Sequence, residues 1–486
     1  MHNLIVIFGR MPNVLSIVLS KTQFMSYRRC AKSFWVGIHE DAGAVPSASP
    51  FDLLLMRNGI EVERVAAGWL RRTLTNSSLM FQRTFASSGF EARADCVATN
   101  ADGTIDLIEI KSSTDHRPHV ADAAFQAIVA ERSGVRVGRV SIVHVRADYR
   151  RTGEIDPEQL LTIVDVTQEV RAIMPELARE MDDALEFIAL EEIDERACTC
   201  RHCGSRSRHC RHFARFNPDI GDPSAHDLPR ISPSRLVVLD SDGRLDPRLM
   251  TETDVTPAQL PILRAFQTAR PIIDLAGIED FLDGLRYPLA FYDYETWASA
   301  IPPSDGYRPH APIPVQYSLH VLHEDGRLDH HEHLSDGHGQ HRELISRLAQ
   351  TLPETGSALV WNRSFEAGCN RRLAELEPEL AGFLSQLDAR TMDLMDPFRR
   401  HYVHPDFRGS TSIKKVLPAL VPELSYQELA VTDGAEAMLA WLAMTQAGGD
   451  RKHVLRGQLL DYCRLDTLAM VEILRVLLRL RTRPTP

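Results

Sequence analysis

The stretch Phe291-Tyr292-Asp293-Tyr294-Glu295-Thr296 places the tightest condition on the fold. With Leu289 and Ala290 before it, the run reads as a buried strand that carries two acids. Residues i and i+2 of a strand share a face. Asp293 and Glu295 therefore leave the same side of a sheet, where both carboxylates can meet metal ions. Two later segments extend the pattern. Trp361-Asn362-Arg363-Ser364-Phe365-Glu366 sits at a strand-to-helix junction, with Asn362 a candidate nucleic-acid contact and Glu366 a further acid. Tyr462 and Asp466, at i and i+4 of the last helix, share one helical face. Two divalent ions about 4 Å apart, held by such carboxylates, would clamp an attacking water and a leaving 3′ oxygen, with Tyr462 orienting the water. Asp393 and Asp396 stand in reserve, Asp396 reading as a helix cap before Pro397. Ser410-Thr411-Ser412 offers hydroxyl caps to a helix that carries Lys414, a candidate contact to nucleic acid.

A second constellation lies upstream. Residues 90–111 read as two strands, the turn being Asn100-Ala101-Asp102-Gly103. Period-two alternation from Ile105 puts Glu109 and Lys111 on one face, and the neighbouring strand can bring Asp95 beside them. Two carboxylates suit Mg²⁺ or Mn²⁺, and a lysine can position water or steady charge at a phosphorus centre. Gln126, one helix later, can support the site, and Glu61 or Glu63 on the first helix can add a ligand.

At 486 residues the chain exceeds one hydrophobic core, so two or three domains are expected. We place them at residues 15–215, a connector at 216–285 rich in proline and aspartate, and 286–482. Both flanking domains read as α/β. The net charge of −11 argues against a protein that coats DNA, but not against a nuclease, which gathers carboxylates and needs only a local basic track. No apolar run reaches the length of a membrane span. The apolar stretches Leu4 to Phe8 and Val14 to Leu19 are too broken for a secretory signal, and translation starting at Met11 is an alternative. The expected compartment is the cytoplasm. Lysine occurs at only six positions, among them Lys21, Lys111 and Lys414.

Four of the eight cysteines, Cys198, Cys200, Cys203 and Cys210, lie within thirteen residues. In a reducing compartment such a cluster reads as metal ligands. With His202, His209 and His212 nearby it can close a zinc site. Arg196, Arg201, Arg206, Arg208, Arg211 and Arg215 make the same stretch basic, and it could track a nucleic-acid backbone.

The upstream constellation resembles the PD-(D/E)XK nucleases of the RecB-like group, although no proline precedes Asp95. That resemblance implies a restriction-endonuclease-like domain. It also implies a [4Fe–4S] cluster, one ligand before the core at Cys30 and three after it from the four clustered cysteines, with zinc as the alternative. The downstream motifs resemble the DEDD exonucleases of the tyrosine subtype. They imply a ribonuclease-H-like mixed-sheet domain with 3′–5′ exonuclease chemistry at Asp293, Glu295, Glu366, Tyr462 and Asp466. Glutamate at 366 departs from the usual aspartate. Over most of its length, from Leu19-Ser20-Lys21 to Ile413-Lys414-Lys415-Val416-Leu417-Pro418 and Leu460-Asp461-Tyr462, the chain is similar to the bacterial domain-of-unknown-function 2779 proteins. The expected activity is a metal-dependent DNase in repair or defence. The alternatives are a ribonuclease or a nucleic-acid-binding scaffold with a decayed site.

Overall fold

A computed structural model describes residues 18–40 and 48–481. The stretch Leu4 to Phe8, the alternative start at Met11 and the outermost residues of both expected domains lie outside the described residues.

The first unit is built on a mixed sheet. Its strands are β1 (Leu19–Ser20), β2 (Ser78–Ser87), β3 (Phe90–Thr99), β4 (Ile105–Ile110), β5 (Val137–Val145) and β6 (Leu161–Asp165). The spatial order is β1-β3-β4-β5-β6, with β2 also paired to β3. Strand β2 was not anticipated from the sequence. The expected turn joins β3 to β4, with Gly103 at φ +79°, a conformation that glycine adopts without penalty. β4 and β5 run parallel, and the helix Val120–Arg132 makes the crossover between them. Its residues Ala123 to Ala130 are all buried, which fits a helix pressed between the sheet and the long helix Thr167–Ile188. The expected first helix is Pro50–Thr73, started by a reciprocal Ser49–Asp52 capping box.

The segment expected as a connector folds around its own apolar core. Leu228, Leu236, Leu239, Leu263 and Phe266 meet there, from the helices Pro233–Ser241 and Leu260–Thr268 and the turn before them. Strand β7 (Ile272–Ile273) then leads to the second sheet.

That sheet contains β8 (Leu289–Trp297), β9 (Ile313–Leu322), β10 (Leu328–Leu334), β11 (Ala358–Val360) and β12 (Thr391–Asp393). The order is β10-β9-β8-β11-β12. The β10-β9-β8 side is antiparallel, and β11 lies parallel to both β8 and β12. A short strand β13 (Tyr402–Val403) pairs back with β7. One face packs on the helix Gly449–Arg481, whose Thr467 hydroxyl contacts Ser318 (2.7 Å) and His320 (2.8 Å) of β9. Ser318 is the cross-strand neighbour of Asp293, so this contact registers the last helix against the acid-bearing strand.

Residues 298–312, between β8 and β9, lie on the first unit. Ala300 is fully buried in the apolar cluster that contains Ile108, Ile110 and Val143, and its N–H donates to Asn58. Arg151 and residues 306–307 exchange two backbone hydrogen bonds. His310 Nε2 bonds the carbonyl of Ser112 at 2.6 Å, one residue past Lys111.

Candidate functional site

The second sheet opens onto a cavity of about 500 Å³ lined by Asp293, Glu295, Glu366, Tyr462 and Asp466. All five predicted residues therefore meet in one place. Asn362 and Lys414 line it too. β8 supplies the first two acids. The helix Arg363–Leu376 turns Glu366 inward, and the helix Gly449–Arg481 delivers Tyr462 and Asp466 on one face. Carboxylate oxygens of Asp293 and Glu295 and the Cys463 sulfur all lie within 4.8 Å of one another.

The electrostatics of these acids suit a bound cation. Burial, then Asp466, pushes Asp293 well above the carboxylate range. Burial, then Asp293 and Asp466, does the same to Glu295. Burial and Asp293 raise Glu366 to about 9. Asp466 rises only to about 6, because burial is opposed by a hydrogen bond from the Tyr426 hydroxyl and by the charge of Lys414. Glu366 Oε2 is buried with no hydrogen-bond partner, an expensive state for a polar atom. A divalent ion would relieve both costs. The carboxylates offer hard oxygen donors that suit Mg²⁺ or Mn²⁺. Burial and the nearby acids hold the Cys463 thiol protonated, so it belongs to the wall and not to an oxygen donor set.

Sequence reasoning missed Tyr426. It comes from an irregular segment with no periodicity to flag it. Its hydroxyl donates to Asp466 Oδ1, and the Lys414 ammonium lies over the rings of both Tyr426 (5.8 Å) and Tyr462 (5.5 Å). Lys414 also donates to the Thr432 carbonyl. The expected hydroxyl caps do not form, since Ser412 makes no side-chain cap bond to its helix. Asp393 faces elsewhere. It accepts from the N–H groups of Asn362, Arg363 and Met395, and so fixes the junction that presents Glu366. Asp396 opens a short helix and pairs with Arg399.

The upstream constellation also assembles. Glu109, only 2% exposed, contacts Lys111 Nζ (2.8 Å), Lys21 Nζ (2.6 Å) and Gln126 Nε2 (2.5 Å). Burial pushes the Glu109 carboxyl up, but Lys111 and Lys21 outweigh it and hold it at about 2. Asp95 instead rises to about 7, from burial and the charge of Glu109. Two carboxylates driven apart in this way are a common signature of functional sites. Lys21 and Asp122, which pairs with Lys111 at 2.9 Å, were not named as site residues from the sequence. The rarity of lysine was the available signal for Lys21. Gln82 joins Glu63 (2.5 Å) to Asp95 (3.3 Å) from a strand position with φ +56°, a strained conformation for a residue with a side chain. Glu63 is thus near the site, whereas Glu61 pairs with Arg57 along its own helix.

Cys30, Cys198, Cys200 and Cys210 bring four sulfurs within 4.8 Å of one another, all buried. Cys203 is not part of this set and is only partly buried. Hydrogen bonds from Cys198 and Cys210 lower the Cys30 thiol. Four arginines of the basic stretch nearby are ion-paired. Arg201 pairs with Asp219 and Asp240, Arg206 with Asp222 and Asp227, Arg215 with Glu40 and Glu195, and Arg196 with Asp194.

Residues 290–412 match a family described as a domain of unknown function (DUF2779). The matched region holds Asp293, Glu295, Asn362 and Glu366 and ends before Lys414, Tyr462 and Asp466. No curated protein matches the chain. Among solved structures, one titled "Crystal structure of SSO0001" aligns at 13% identity, covering 35% of this chain and 75% of that chain, with a TM-score of 0.23. A likeness at that TM-score carries no structural argument. Among the described residues no helix is long and apolar enough to cross a membrane.

Proposed function

We propose that the chain is a Mg²⁺- or Mn²⁺-dependent nuclease with DNA as its main substrate, acting in repair or defence. The observation that carries this reading is the convergence of Asp293, Glu295, Glu366 and Asp466 in one cavity, with a buried Glu366 oxygen lacking any partner. The sheet order and the last helix support a ribonuclease-H-like domain of the DEDD type with 3′–5′ exonuclease chemistry. Divalent ions bound there would polarise the scissile phosphate and activate water. The chain supplies the rest. The four acids hold the ions, Tyr462 orients the water from the helix that carries Asp466, and Lys414 sits where phosphate charge can be met. Asn362 lines the same cavity.

Asp95, Glu109, Lys111 and Gln126 support a second centre of the PD-(D/E)XK type. Asp95 and Glu109 would hold its ion and Lys111 would stabilise phosphate charge. The cysteine tetrad joins the start of the first unit to its end and is proposed as a thiophilic metal centre. The resemblance favours a [4Fe–4S] cluster. The close sulfur spacing favours zinc, whose bonds to sulfur are about 2.3 Å. Visible absorbance with metal analysis separates the two.

One experiment tests the activity. End-labelled single-stranded DNA, duplex DNA and RNA are offered with Mn²⁺ to wild type, Lys111→Ala and Asp293→Ala. Ladders from the 3′ end that disappear only in Asp293→Ala are expected. Cleavage of RNA alone would transfer the reading to a ribonuclease, and no cleavage of any substrate would end it.

A further inference from the structure

Residues 306–313 form a wall shared by two cavities of opposite character. His310 and Pro312 line the acidic cavity. Arg308, Ala311 and Ile313 line a second cavity of about 260 Å³. The helix Arg363–Leu376 passes along both. Phe365, at 37% exposure, and Glu366 reach the acidic cavity, while Arg371 and Arg372 reach the second. Phe365, Gly368 and Arg372, at i, i+3 and i+7, form one stripe that runs from the first cavity to the second.

The second cavity is basic. Arg308, Arg371 and Arg372 face a single carboxylate, Glu375. Glu375 is claimed by Arg308 at 3.2 Å and by Arg150 of the first unit at 2.5 Å. Arg372 is preset, since its Nε donates to the Pro312 carbonyl at 2.6 Å. Gly368 has no side chain to crowd it; an added Cβ would lie 3.4 Å from the Arg372 guanidinium. Arg371 is exposed on the helix. Guanidinium groups present planar donor forks that match phosphate oxygens. The rise from Glu366 to Arg371 is about 7.5 Å along the helix axis, so one helix reaches both cavities.

We propose that Arg308, Arg371 and Arg372 form a phosphate-binding subsite for the backbone of a single nucleic-acid strand whose 3′ end lies in the acidic cavity. The proposal rests on the nuclease reading and extends it. The strand crosses the wall at His310 and Pro312, and its upstream phosphates lie on the arginines. Within this cavity the three arginines meet one carboxylate, and Arg371 also borders Asp388 on its other side.

The test is anisotropy of a labelled oligothymidine and a labelled oligouridine bound to the full chain in Ca²⁺, across a salt series. Arg371→Glu and the double variant Arg308→Ala/Arg371→Ala are compared with wild type. Arg347→Glu, on the helix His341–Thr351 where exposed Arg347 pairs with Glu343 outside the arginine cavity, controls for net charge. We expect roughly tenfold weaker binding for Arg371→Glu and a salt slope reduced by about 0.7 for each phosphate that is no longer neutralised. Arg347→Glu binds as wild type. Unchanged affinity and slope in both Arg371 variants overturn the subsite, and so does equal weakening by Arg347→Glu. The nuclease reading survives either result if wild type still cleaves. A wild type that neither binds nor cleaves ends both.

Discussion

The Tyr426 hydroxyl donates a 2.6 Å hydrogen bond to Oδ1 of Asp466. That bond opposes the upward push of burial on the Asp466 carboxyl and fixes its orientation. Partners of this kind set ligand geometry, and their loss commonly costs about 10- to 100-fold in metal affinity or activity. Tyr426→Phe is therefore expected to weaken Mn²⁺ binding at the acidic cavity by at least tenfold while the fold stays intact. Titration calorimetry on wild type and variant checks this, and equal affinities would refute it.

The acidic cavity also predicts a pH effect. Glu366 sits at about 9 against 4.5, and Asp466 at about 6 against 3.8. In the folded state both acids retain protons that the unfolded chain has released. Their contribution to stability is full below about pH 4 and is lost as pH rises through the folded values. The metal-stripped protein should melt at lower temperature at pH 9 than at pH 6. Glu366→Gln should flatten the profile and raise the melting temperature at pH 9, by about 2–4 °C for each kcal/mol relieved. Parallel profiles for the two proteins would contradict the assignment.

The upstream centre behaves in the opposite sense. Lys111 and Lys21 hold Glu109 at about 2, so their stabilisation is present above about pH 4.5 and fades as pH falls toward 2. Lys111→Met leaves a buried carboxylate short of a partner and should cost about 3 kcal/mol at pH 7. Lys21 is more exposed and leaves Lys111 in place, so Lys21→Met should cost less. Urea unfolding orders the two. A larger loss for Lys21→Met would reverse the roles given to them.

Cys203 separates the sulfur tetrad from a simple reading of cysteine spacing. Cys203→Ser should keep the bound metal at full stoichiometry. Serine at Cys30, Cys198, Cys200 or Cys210 should lose it and destabilise the first unit, because a metal held there would join its two ends. Metal analysis of the five purified variants decides. Metal loss in Cys203→Ser would place that residue in the ligand set.

What the sequence made legible was local geometry. Asp293 with Glu295, and Tyr462 with Asp466, lie at fixed offsets on one element, so their shared faces follow from the repeat of the backbone. Glu109 and Lys111 follow in the same way. Lys21, Asp122 and Tyr426 were not named because each reaches its site from a separate element, and tertiary contact leaves no periodic trace. β2 was overlooked because its pattern of exposure is irregular, and it contains Gln82 in a left-handed conformation. The sequence offered four clustered cysteines for three places, with Cys203 or Cys198 as the spare, and spacing alone does not choose between them. The tight turn Thr199–His202 buries Cys200 and leaves Cys203 at its edge. Arg201, Arg206 and Arg215 carried no mark of the acids that pair with them from other segments.

Ala300 belongs by sequence to the second unit and by burial to the core of the first. The fifteen residues that carry it are thus a borrowed part. Residues 286–481 produced alone would leave that segment without a seat, and the first unit alone would show an open seam beside Ile108 and Ile110. A gene cut between the two halves would yield fragments that must find each other to be whole. The two candidate centres therefore share a scaffold, since the loop that follows the strand of Asp293 and Glu295 completes the core beside the strand of Glu109.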